Sequence, residues 1–79
     1  MHVYLEVSLD NVDKVKEFIA TSQSIPVDMQ LRSGKYVVDA KSILGVFSLD
    51  LSHSVILEIE DSNEDASMYE AIFSKFIKK

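Results

Sequence analysis

The sequence contains no cysteine and no tryptophan, one proline, two glycines and only eight lysine and arginine residues. Without cysteine there is no disulfide framework, no thiolate metal site and no thiol nucleophile. With so little proline and glycine, connections are short and the elements follow one another closely. No low-complexity stretch or internal repeat is visible. Apolar runs are brief, far from the ~20 residues of a membrane-spanning helix. The opening Met1-His2-Val3-Tyr4-Leu5-Glu6 lacks the basic start and long apolar core of a signal peptide. A soluble, cytoplasmic protein without a membrane segment is the expectation. Thirteen acidic residues outnumber the basic ones and leave a formal charge of −5. That balance argues against nucleic-acid binding, which needs a basic face. What remains is a chain of 79 residues, 47% hydrophobic and 27% charged. Residues 1–79 are expected to form one domain. A chain this short buries only ~60% of the surface that it exposes when unfolded, so modest stability is expected.

Hydropathy patterning supplies the elements. Val3, Leu5 and Val7 alternate with Tyr4, Glu6 and Ser8, which predicts a strand with one buried face. Asp10 is the expected N-cap of a helix running from about Asn11 to Thr21, with Asp13 in its first turn. Val12, Val15, Phe18 and Ile19 give that helix its apolar stripe, and Pro26 ends it. Val27, Met29 and Leu31 predict a second strand, Ser33-Gly34 a tight turn, and Tyr36-Val37-Val38 a short third strand with room for a bulge. Ser42 has the chemistry to cap a short helix through Ile43, Leu44, Val46, Phe47 and Leu49. Residues His53 to Glu60 alternate again, with Val55, Leu57 and Ile59 on one side. Asp61-Ser62-Asn63 is a loop with capping chemistry. A last helix carries Met68, Tyr69, Ile72, Phe73, Phe76 and Ile77, with Glu64 and Asp65 in its first turn and Lys75, Lys78 and Lys79 in its last. The predicted order is βαββαβα: an α+β fold with a four-stranded antiparallel sheet covered on one face by three helices.

The run Val38-Asp39-Ala40-Lys41-Ser42-Ile43-Leu44-Gly45-Val46-Phe47-Ser48-Leu49 closely resembles the regulatory-serine segment of HPr, the histidine-containing phosphocarrier of the bacterial sugar phosphotransferase system. The Ser33-Gly34-Lys35 turn, the terminal helix, the element order and the length fit as well, so the resemblance spans essentially the whole chain. It implies the family's open-faced β-sandwich, a carrier or binding protein rather than an enzyme, and protein partners. It also implies that Ser42 matches the serine phosphorylated by a dedicated kinase, and that Lys41, Ile43, Leu44 and Phe47 match the partner-binding surface. In the family, the loop after the first strand holds a phosphoacceptor histidine, then an arginine two residues on, then a proline. Here the loop reads Ser8-Leu9-Asp10-Asn11-Val12-Asp13-Lys14, and the only histidines are His2 and His53.

Phosphoryl relay needs an imidazole nucleophile, helix N-terminal amides and a cation. Asp10, Asn11 and Val12 occupy the acceptor position, and Asp10 and Asp13 bring negative charge to it. The favoured expectation is therefore a regulatory or protein-binding module acting through the Ser42 helix, with phosphotransferase components or a transcription regulator as partners. The alternative is a phosphocarrier with another acceptor, or one modified on Ser42. Asp10 has two readings, helix cap and acyl-phosphate acceptor, and Ser42 likewise serves as a cap alone or also as a modification site. Ile43, Leu44 and Phe47 are either core or partly exposed docking residues. No catalytic residue, metal site or cofactor is expected: there is no nucleophile–base pair or glycine-rich phosphate loop. The acidic stretch Glu58, Glu60, Asp61, Glu64 and Asp65 lacks the glycine and ligand period of a calcium loop.

Overall fold

A computed structural model describes residues 2–60 and 65–78. The chain runs β1 (His2–Val7), α1 (Val12–Gln23), β2 (Asp28–Ser33), β3 (Tyr36–Asp39), α2 (Ile43–Phe47), β4 (Val55–Glu60) and α3 (Ala66–Ile72). All strand pairs are antiparallel, in the order β1-β4-β2-β3. The period-two pattern decides which face is buried. Register places Val3, Ile59 and Met29 in one cross-strand row and Leu5, Leu57 and Leu31 in the next, all buried. The intervening residues point to the open face; Tyr4, Gln30 and Arg32 are exposed there, and Ile56 and Glu58 of the inner strand are half-buried. This is the four-stranded, three-helix open-faced sandwich expected from the sequence.

The helices close the core with aromatic rings. Phe18 of α1 lies 5.6 Å from both Phe73 and Phe76, edge-on to Phe76. Rings in tilted or edge-on pairs add to the energy of burial. The chain beyond α3 then straps onto the edge of β1. Ser8 N donates to the Phe76 carbonyl at 2.7 Å, Lys78 N donates to the Glu6 carbonyl at 3.0 Å, and Val7 and Ile77 form an antiparallel bridge.

Several local expectations are corrected. Asn11, not Asp10, caps α1: its backbone is extended and its Oδ1 accepts the Lys14 amide at 2.8 Å. Asp10 instead pairs with the Lys14 ammonium at 3.2 Å. The helix also continues to Gln23, because Pro26 restricts only the residue directly before it. Val12 is 54% exposed and lies off the buried stripe of Val15, Phe18 and Ile19. There is no bulge in β3. Its register with β2 is continuous, and Val37 and Val38 point to opposite faces as the pleat requires. Strand β4 starts at Val55, two residues after the expected His53.

The last helix is shorter than its spacing suggests. It ends at Ile72, Met68 and Ile72 are exposed, and Asp65 is its N-cap, accepting the Met68 amide at 3.0 Å. Lys75 and Lys78 lie beyond it, paired with Glu17 at 2.8 Å and Glu6 at 3.5 Å. The strap explains the early stop, since an extended segment finds partners along β1 that a helical turn would forgo. The expected roles of Asp61, Ser62, Asn63, Glu64 and Lys79 fall outside the described residues.

Among the described residues, one buried side-chain group departs from full satisfaction. Ser22 is fully buried on α1 and its Oγ has no hydrogen-bond partner. An orphaned buried hydroxyl is costly, and its removal relieves that cost. Ser22→Ala should therefore leave stability unchanged or raise it by about 1 kcal/mol, read as the midpoint of urea unfolding. Acid should act on the strap. The Ser54 hydroxyl and then the Lys78 ammonium hold the Glu6 carboxyl below its ordinary value of 4.5. A lowered folded-state pKa adds stability above the unfolded value, which is lost as pH falls through the folded value. Glu6→Gln should flatten the fall of the thermal midpoint below pH 4.5 and leave its neutral-pH slope alone.

Candidate functional site

The segment from Asp39 to Ser48 is held from several directions. The Asp39 carboxylate accepts the Lys41 amide at 2.8 Å, and the Gln23 side-chain amide, at the end of α1, donates to the Lys41 carbonyl at 3.1 Å. The Lys41 ammonium donates to the Ile25 carbonyl at 2.5 Å. Ser42 then caps α2 with its Oγ accepting the Gly45 amide at 3.1 Å. Gly45 is where α2 approaches β3: a Cβ there would sit 3.3 Å from both Ser42 Oγ and Val38 Cβ. Val46 turns into the core and is fully buried.

A helix of this length cannot bury its remaining sides. Leu44 is 83% exposed, Ile43 44% and Phe47 43%. Phe47 also reaches toward the start of α1. There it forms a shallow apolar cleft of about 260 Å³ with Leu9, Val12, Val15 and Leu51. Asp10, Asn11 and Ser52 make the polar margin of that cleft. Two sets of residues that are remote in sequence thus meet in one place: Phe47 from the α2 surface, and Asp10, Asn11 and Val12 from the acceptor-loop position. Lys41 stands apart from them. Its side chain lines a separate cleft of about 290 Å³ with Asp28, Asp39 and Glu60. Leu9 and Ser52 carried no functional signal in the sequence. Leu51, an apolar residue in an otherwise polar turn, was the one available hint.

The charges around this cleft are unfavourable to an anion. Asp10 lines it, and Asp13 follows Val12 in the first turn of α1. The Ser52 hydroxyl and amide, at 2.6 and 3.0 Å, hold the Asp50 carboxyl below its ordinary range, with His53 adding to the effect. Lys14, in the first turn of α1, is bound to Asp10. Neither histidine lines the cleft. His2 lies at the opposite end of β1, with its Nε2 3.8 Å from Glu58 and its ring 6.0 Å from that of Tyr4. His53 is exposed in the turn before β4. Among the described residues no group of three or more His, Cys, Asp or Glu is placed to hold a metal ion, and no helix is long and apolar enough to cross a membrane.

Neither a protein-family sequence profile nor a curated protein matches the chain. Solved structures do. A crystal structure of HPr-C-His from Thermoanaerobacter tengcongensis superposes with a TM-score of 0.71 at 24% identity, covering 100% of this chain and 98% of that one. The phosphocarrier protein HPr from Bacillus anthracis str. Ames gives a TM-score of 0.74 at 22% identity, over 96% of this chain and 95% of that one. The chain therefore has the HPr fold, and the architecture that the resemblance implied is present. At such identities the likeness establishes the fold and leaves activity to be argued from the site.

The capping role of Ser42 is directly testable. Ser42→Ala should lower unfolding stability by about 1 kcal/mol, whereas Ser42→Asn, an equally good cap, should keep it, as read by urea denaturation.

Proposed function

We propose that this HPr-fold protein is a regulatory, protein-binding module that docks partners through α2 and does not relay phosphate through histidine. The observation that carries the proposal is Leu44. It is the most exposed large apolar side chain among the described residues, on a helix whose amino-terminal flank is held by hydrogen bonds at Lys41 and Ser42. A rigid apolar ridge costs little to order on binding, which favours docking. Ile43 and Phe47 extend the ridge, while Lys41 and Ser42 position it. Partners fitting the resemblance are phosphotransferase components or a transcription regulator, met in a bacterial cytoplasm.

The absence of relay is argued from chemistry. At the start of α1 stands an amide side chain, Asn11, already engaged with the Lys14 amide. It is neither nucleophilic nor free. The carboxylates beside it repel a phosphoryl donor. The alternative reading, modification of Ser42, is favoured by its hydroxyl lying at the start of α2, where added negative charge suits the helix dipole.

Incubation with phosphoenolpyruvate and the phosphotransferase system's own phosphorylating enzyme tests the relay. The mass should stay unchanged, and an acid-labile phosphoryl adduct would sink the proposal. In the docking test, Leu44→Asp should keep the far-UV circular dichroism and unfolding midpoint of the parent while abolishing capture of partners from native cytosol. Unfolding of that variant would show Leu44 to be core; capture that survives in a folded variant would place the docking surface elsewhere.

A further inference from the structure

We infer that the cleft at the amino end of α1 is a side-chain pocket for the partner: it takes one apolar anchor residue followed by a basic residue, and not a phosphoryl group. The inference rests on the docking reading above and specifies the chemistry of the partner's contact segment. The floor is apolar, formed by Leu9, Val15, Phe47 and Leu51, with Val12 exposed at its side. Its volume, about 260 Å³, falls below the ~300–1,000 Å³ of pockets that hold whole small molecules. It suits a single leucine, methionine or phenylalanine side chain, the kind of anchor that carries binding energy at protein interfaces.

Charge selects the neighbouring residue. Asp10 lies on the margin, Asp13 flanks Val12, and Asp50 is fastened to the marginal Ser52. Lys14 offsets Asp10 through their ion pair. Asp13 forms no ion pair among the described residues, and Asp50 is held ionised by the Ser52 hydroxyl and amide. Lys16 stands two residues beyond Lys14 on α1 and does not line the cleft. The margin thus keeps a net negative charge beside an apolar floor. A leucine followed by an arginine or lysine satisfies both parts, whereas a phosphate satisfies neither.

The test uses the intact protein and two synthetic helical peptides. Each carries leucines on one face of an alanine helix, flanked by arginines in the first and by glutamates in the second. In a ¹H–¹⁵N titration the arginine peptide should shift the amides of Asn11, Val12, Leu51 and Ser52, and the glutamate peptide should not. Asp13→Asn with Asp50→Asn should weaken the arginine peptide about fivefold, the scale of two exposed ion pairs. Asp28→Asn with Glu60→Gln, equal in charge but beside the other cleft, should leave binding unchanged. Equal weakening by both pairs of variants would reduce the effect to net charge and overturn the inference, as would equal binding of the glutamate peptide. Shifts confined to Ile43–Phe47 would overturn it while leaving docking through α2 intact. Absence of any shift would also overturn it, leaving the cytosol-capture test of docking to be decided separately.

Discussion

The antiparallel bridge between Val7 and Ile77 fixes where everything at the functional end of the molecule must stand. Its flanking hydrogen bonds, Ser8 N to the Phe76 carbonyl and Lys78 N to the Glu6 carbonyl, end β1 at a set position. They also bring Phe76 under α1, where its ring meets that of Phe18. With both ends so fixed, Ser8 to Asn11 have little freedom and α1 must begin at Val12. The strap has a second consequence. Strand β1 is an edge strand, and unpaired edges invite association with other chains. Covering its last residues with the segment that follows α3 removes part of that hazard at this end of the sheet.

The α2 platform depends on a different economy of contacts. Its five residues are too few for cooperative helix formation on their own. Order comes instead from hydrogen bonds that converge on Lys41, those with Gln23 and Ile25 being tertiary, and from the Ser42 cap. Only Val46 anchors the helix in the core. The same shortness leaves Ile43, Leu44 and Phe47 outside, so exposure of the ridge and dependence on flanking hydrogen bonds share one cause. Lys41 shows how this changes a residue's role. The resemblance placed it on the contact surface, but its ammonium is held by the Ile25 carbonyl. A charge so engaged helps to shape the platform.

Much of the fold was legible because one face of the sheet is open to water. Alternation in β1, β2 and β4 follows from that asymmetry, and the buried rows match it except at Val27, which precedes β2 and is half-buried. What misled was chemistry that fits two neighbouring positions. Asp10 and Asn11 both cap well, and the choice between them was made by the strap at Ser8, a long-range contact with no local signature. The spacing of Phe73, Phe76 and Ile77 suits a continuing helix, yet Phe76 reaches the core equally well from a tighter turn that leads into the strap. The cleft was hidden for the same reason. Phe47 and Val12 meet only because α1 and α2 lie side by side, and each looked like part of a separate apolar stripe.

Fold and chemistry separate cleanly at the start of α1. A helix N-terminus favours negative charge through its unpaired amides, and that bias belongs to the backbone whatever the side chains are. In this chain the bias is already satisfied from within. Asn11 Oδ1 takes the Lys14 amide, and Asp13 supplies the negative charge in the first turn. A visiting phosphoryl group would have to displace the cap and stand against Asp10 and Asp13, while Lys14 is already paired with Asp10. An apolar side chain meets neither obstacle, because its contact is with Phe47, Leu51 and Val12, not with the helix amides. Under the proposed reading, the same end of the same fold disfavours one class of ligand and suits another, through side chains that leave the backbone path unchanged.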